Sequence, residues 1–288
     1  MKEIVSGKKK QIVKQQSEEQ EPEKELTFWD HLEELRWHIT RSIIAVLSFA
    51  ILAFVNRTFV FDEIILAPKN AEFISNQLLC KLGLLVGTDA LCMNDVVLQI
   101  INIKMPGQFL MHMYISVMMG LVAAAPYVIW EVWSFIKPAL YDTEKKYSGG
   151  AVVVMSSLFI VGTLFSYFMI VPLTLSFFGS YQVSASVINQ ISLSSYVSTV
   201  VSLTFAVGIV FELPVFIYFL TKVGVLTPDY LKRNRRWTLV VILVVSAIIT
   251  PSDIFSQVMV SIPLYALYEI SIVVSKRVYK KRMAELDD

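Results

Sequence analysis

Histidine and cysteine are scarce in this 288-residue chain, which has three of the first (His31, His38 and His112) and two of the second (Cys80 and Cys92). Neither set has metal-ligand spacing, so no metal site is expected. HExxH, GxSxG and the P-loop are missing too, and with them the chemistry of metalloproteases, serine hydrolases and ATPases. No cofactor and no enzymatic activity are expected. Charge is thin: 17% of the residues are Asp, Glu, Lys or Arg, against about 25% in an average soluble domain. A formal net charge of +1 offers no basic surplus for nucleic acid. The first 25 residues lack an apolar core, so a cleavable signal peptide is not expected. They are charged and polar, and residues 1–26 read as a disordered tail.

What the chain has is apolar residues, 55% of the total, gathered in blocks instead of stripes. The blocks are 38–61 (purest over 42–55), 109–130, 151–178, 196–220, 237–250 and 254–275. Uncharged runs of this length match the ~30 Å hydrocarbon layer of a bilayer. The fold class is therefore all-α: a polytopic membrane protein with a six-helix transmembrane domain over 27–276 and a C-terminal tail over 277–288. Thr27 and Asp30 form a capping box at its start. The last two helices are expected to be short. The fifth block has 14 residues, about 21 Å of helix; it forms a short span or a re-entrant hairpin with the sixth.

Lys and Arg set the orientation. Eight lie in the segment ending at Arg41, three in 137–146, five in 222–236 and five from Lys276 onward, together 21 of 25. Arg57, Lys69, Lys81 and Lys104 fall in the first loop of the other side. Six spans with both termini cytoplasmic fit this bias, in a cytoplasmic (inner) membrane. Pro126, Pro172, Pro214 and Pro263 lie inside spans, where each removes a backbone hydrogen bond.

Three polar constellations stand out. His31–Arg36 reads HLEELR, with Glu33 and Glu34 on neighbouring faces of a helix. From the residues alone, a capped helix start is the simpler account, its acids complementing the macrodipole and pairing locally with Arg36 or Arg41. The loop 131–147 combines aromatic residues with Glu131, Asp142 and Glu144. Glu212 lies inside the fourth span, where a carboxyl costs ~2.5–3.5 kcal/mol or more and needs a partner, water or a proton. Glu269 is expected to pair locally with Lys276 or Arg277.

HLEELR before the first span, PYVIWEVWSFIKPALYDTEKK after the second and SYFMIVPLTLSFF ending the third resemble the TatC family. So do FAVGIVFELP in the fourth span and ITPSDIFSQ and IPLYALYEI at the end. Order and spacing agree over roughly 27–276. The resemblance implies a glove-shaped six-helix bundle, the core subunit of the twin-arginine translocase. It implies binding of twin-arginine signal peptides, and export of folded proteins by the proton-motive force with TatA- and TatB-type single-span partners. Contact with membrane lipid and self-association in the receptor complex follow. On this resemblance Glu34 and Glu144 hold the signal's arginines, with Glu33, Arg36 and Phe135 around them. Glu212 and Gln257 are the in-membrane polar groups for partner-helix docking, and Asp253 and Pro68 belong to the periplasmic loops. Separate acids suit such a ligand, because guanidinium presents a planar fork that carboxylates accept bidentately. The long N-terminal extension, the added acids Glu33 and Glu131, TPSD at 250–253 and the cysteine-bearing loop depart from the family pattern. Cys80 and Cys92 form either a disulfide or two free thiols. A secondary transporter or channel using Glu212 is the rival class; it predicts internal repeats, and the two halves show none.

Overall fold

The computed structural model describes residues 28–70, 72–86, 99–137, 148–184, 186, 189–250 and 254–287. Residues 1–40 form one unit and 41–288 a second. Of the first, only the opening turns of α1 (Phe28–Val55) are described; Thr27 and the tail before it lie outside the described residues.

After α1 the chain makes a π-helical turn, Phe59–Ile65, a 3-10 turn, Ala67–Lys69, and α2 (Ile74–Val86). Strand β1 (Gln99–Ile101) leads into α3 (Gly107–Ile136). The third apolar block gives α4 (Ser148–Phe165), a π turn over Ser166–Ile170, and α5 (Val171–Ser180). Strand β2 (Gln190–Ser192) precedes α6 (Leu193–Val210), which is followed by α7 (Leu213–Val223) and the short α8 (Pro228–Arg233). The chain closes with α9 (Arg235–Ile249) and α10 (Ile254–Asp287).

Five stretches among the described residues are helical and apolar enough to cross a bilayer: Leu32–Val55, Gly107–Ile136, Gly150–Ser180, Leu193–Val223 and Ser256–Ala284. The fifth block makes the short helix, α9, of 15 residues. The sixth is only the first part of a longer one. Helix α10 has 34 residues and carries the basic segment after Ser275 as continuous helix. Its far end returns to α7, where Gly224 terminates the helix at φ +90° and a Cβ would collide with the Arg282 guanidinium. Only glycine takes that conformation without strain.

The four prolines divide into two kinds. Pro126 and Pro263 sit inside continuous helices. Pro172 and Pro214 stand in the first turn of α5 and α7, where a missing N–H costs nothing. Each of these marks a change in the helix, a π turn before α5 and a break before α7.

In lipid, helices associate through close packing of small residues. Helix α3 buries Ser116, Gly120 and Ala124 at four-residue spacing. A Cβ on Gly120 would lie 2.7 Å from the Val46 carbonyl and the Ala50 amide of α1. Helix α6 packs on α3 and α4, and α10 on α7 and α9. The fourth span is the most buried of the five. Its Tyr196 donates to the Ile65 carbonyl at 2.8 Å, and Tyr167 donates to the Ile64 carbonyl at 2.6 Å. These bonds anchor the first loop to the bundle. Strands β1 and β2 pair in parallel, Gln99 opposite Gln190, and so join the loop before α3 to the loop before α6.

Candidate functional site

The break between α6 and α7 positions the most unusual side chain in the membrane region. Pro214 cannot donate the hydrogen bond that the Val210 carbonyl would accept. The backbone responds by turning: the Glu212 N–H bonds back to the Ile209 carbonyl at 3.0 Å, and the Glu212 carbonyl accepts from Val215 and Phe216 at 3.0 and 3.1 Å. The Glu212 side chain is thereby held at the junction, only 6% exposed. Neither of its carboxyl oxygens has a hydrogen-bond partner among the described residues. A buried carboxyl in that state is destabilising unless something satisfies it.

A groove of about 630 Å³ begins at this junction, with Phe211 and Pro214 in its wall. It runs along α7 to Lys222, between Val154 and Leu158 of α4 and Ile270 of α10. The lining is almost wholly aliphatic and aromatic. Trp133 of α3 closes one side, 5% exposed and packed on Phe219 with ring centroids 4.6 Å apart. Its indole N–H is also without an acceptor among the described residues. The groove thus offers apolar walls, with the unsatisfied Trp133 indole in its lining and Glu212 between two of its lining residues, Phe211 and Pro214.

Two acids differ from their sequence-based placement. Glu131 is not a loop residue: α3 continues to Ile136, so Glu131 lies in its last turns, 1% exposed, accepting from the Tyr127 hydroxyl at 2.7 Å. The four-residue spacing of Tyr127 and Glu131 was the available signal. Glu269 pairs not with Lys276 or Arg277 but with Arg235 at 2.6 Å, and accepts from Tyr265 at 3.1 Å. Lys276 is two turns away along the same helix, about 10 Å, whereas α9 brings Arg235 alongside.

The remaining expected residues fall in several places. Glu33 and Arg36 are exposed on α1 and Glu34 is half-buried. The Arg36 carbonyl accepts from the Thr40 hydroxyl at 2.8 Å. Phe135 is half-buried in the last turn of α3. Gln257 uses its amide inside the chain, donating to the Leu243 carbonyl at 2.9 Å and tying α10 to α9. Pro68 is buried in the 3-10 turn, its carbonyl accepting from Asn76 at 3.1 Å. Cys80 is buried and disulfide-bonded. Asp142, Glu144, Asp253 and Cys92 lie outside the described residues.

The sequence model of the family described as "Sec-independent protein translocase protein (TatC)" matches residues 30–263. The chain belongs to the TatC family. The TatC of Blattabacterium sp. subsp. Periplaneta americana (strain BPLAN) is 37% identical over 260 residues, 90% of this chain and 98% of its own length. The TatC of Aquifex aeolicus (strain VF5) is 36% identical over 256 residues, 88% and 96% of the two chains. The fold agrees as well. A crystal structure of the twin-arginine translocase receptor TatC superposes with a TM-score of 0.69 at 32% identity, over 86% of this chain and 99% of that one. This TatC protein is accordingly a Sec-independent protein translocase component, and it is a multi-pass helical membrane protein.

Proposed function

We propose that this chain is the receptor subunit that binds twin-arginine signal peptides at the cytoplasmic face of the inner membrane. It assembles with TatA- and TatB-type single-span proteins and exports folded proteins using the proton-motive force, catalysing no covalent chemistry itself. The observation that carries this reading is the buried Glu212 carboxyl, which finds no donor among the described residues and sits in sequence between Phe211 and Pro214 of the apolar groove. A transmembrane helix from a partner fills the groove and supplies the missing hydrogen bond. Both termini lie in the cytoplasm, with the basic segments around 137–146 and 222–236. Glu34 and Glu144 hold the arginine pair there, with Glu33, Arg36 and Phe135 in support. Asp253 lies on the periplasmic side.

Purified receptor and a twin-arginine signal peptide test the arginine site. Glu34→Ala or Glu144→Gln weakens binding by ~1.5–3 kcal/mol each, the worth of a charge-assisted hydrogen bond. Normal binding and export in the double variant would sink the assignment.

A further inference from the structure

Only four basic residues stand outside the basic segments, and two of them, Arg57 and Lys69, meet at one cavity of about 700 Å³. Arg57 follows the end of α1 by two residues, and Lys69 closes the 3-10 turn. Phe109 and His112, in the first turns of α3, and Leu193, the first residue of α6, complete the approach. Three span ends therefore converge on the cavity. The ends of bilayer-crossing helices border the headgroup layer on either side of the ~30 Å hydrocarbon core.

The wall is of two kinds. Thr58, Asn102 and Gln108 add hydrogen-bonding groups to the cations, while Phe61, Leu66 and Phe109 make an apolar side. His112 is fixed as part of it. The ring stacks on Phe54 at 4.1 Å and 8°, meets Phe61 edge-on, and its Nε2–H donates to the Phe54 carbonyl at 3.1 Å. Neither Arg57 nor Lys69 forms an ion pair among the described residues, although Asp62 lines the same cavity. The two cations and one carboxylate leave one positive charge. Basic side chains at span ends commonly reach toward headgroups. Here, however, two from separate elements line one open cleft whose wall is part polar and part apolar.

We propose that this cavity binds the phosphate of an anionic glycerophospholipid, with Arg57 and Lys69 on the phosphodiester and the apolar side against the upper acyl chain. A single net positive charge matches the single negative charge of a phosphodiester. The site lies apart from the groove and Glu212, so its test reads lipid directly and stands whether or not the signal-peptide assignment holds.

The full chain is reconstituted in phosphatidylcholine vesicles containing a minority of phosphatidylglycerol and extracted in mild detergent. Retained lipid is then counted by native mass spectrometry. The wild type retains phosphatidylglycerol. Taking roughly fivefold per cation near a lipid surface, Arg57→Gln combined with Lys69→Gln retains about 25-fold less. Lys104→Gln, exposed in the same loop but outside the cavity, retains as much as the wild type. If the double variant unfolds early, Arg57→Gln alone, at an exposed position, carries the test with a loss of about fivefold. Millimolar inorganic phosphate separates the two sources of the anion. Undiminished retention marks a lipid site, and displacement marks a site for free phosphate and overturns the lipid assignment. Equal retention by the variants, or an equal loss in Lys104→Gln, overturns the site itself.

Discussion

At the scale of single residues, Glu212 is where stability and the proposed docking role are expected to pull apart. Its carboxyl is 6% exposed with both oxygens unsatisfied, and an unsatisfied buried polar group costs ~1–3 kcal/mol. Glu212→Leu is therefore expected to raise the unfolding temperature of the isolated chain while impairing partner assembly and export. Glu212→Gln keeps a polar side chain and is expected to be milder in export. An interhelical hydrogen bond in lipid contributes only ~0.6–2 kcal/mol, so in the proposed docking Glu212 is expected to set the register of a partner helix more than its affinity. Thermal unfolding in detergent, alongside co-purification of the single-span partners, reads both effects. A Glu212→Leu chain that melts earlier and still assembles would contradict the docking role. Glu212 was legible in the sequence because one carboxyl in an uncharged run of 25 residues has no local partner. Glu131 and Glu269 were misplaced because their partners depend on where α3 ends and on which helix lies beside α10.

At the scale of elements, the apolar blocks gave away the long helices, since only a bilayer needs uncharged runs of that length. The breaks were legible as prolines, though which of the four interrupt a helix was not. That depends on whether the proline falls in a first turn, as Pro172 and Pro214 do. Strands β1 and β2, of three residues each, left no trace, because a pairing so short and so distant has no periodicity to read. Helix contacts make sharper predictions. Gly120 meets backbone atoms of α1, which cannot swing aside as a side chain can. Gly120→Val is expected to separate α1 from α3 and lower the unfolding temperature by the equivalent of ~1–3 kcal/mol, the usual cost of overpacking. An unchanged melting curve would mean that this contact is not part of the stable bundle. In the loop between α1 and α3, a Cys80–Cys92 bridge would close about 13 residues and contribute ~3 kcal/mol in the chain-entropy model. Alkylation of the unreduced protein in intact membranes is expected to add no mass at either cysteine, and two labelled thiols would rule the bridge out.

At the scale of the whole molecule, the chain's charge and its β pairing point the same way. The parallel pair joins the loop before α3 to the loop before α6. That requires an even number of crossings between them, and α3 followed by α4 and α5 supplies two. The basic segment 222–236 then falls on the other side, as expected from the positive-inside bias. The proposed function puts Glu34 and Glu144, the two acids proposed for the signal's arginines, on the cytoplasmic side. The most direct test of this assignment is photo-crosslinking. A photoreactive residue replaces Glu34, Glu144 or Lys104 in turn, in membranes containing the full translocase and a precursor with a twin-arginine signal. Positions 34 and 144 are expected to crosslink the signal peptide near its arginine pair, and to lose those crosslinks when the pair is changed to Lys-Lys; position 104 is expected to give none. Crosslinks from position 104 alone, or crosslinks from 34 and 144 that persist with Lys-Lys, would contradict the account.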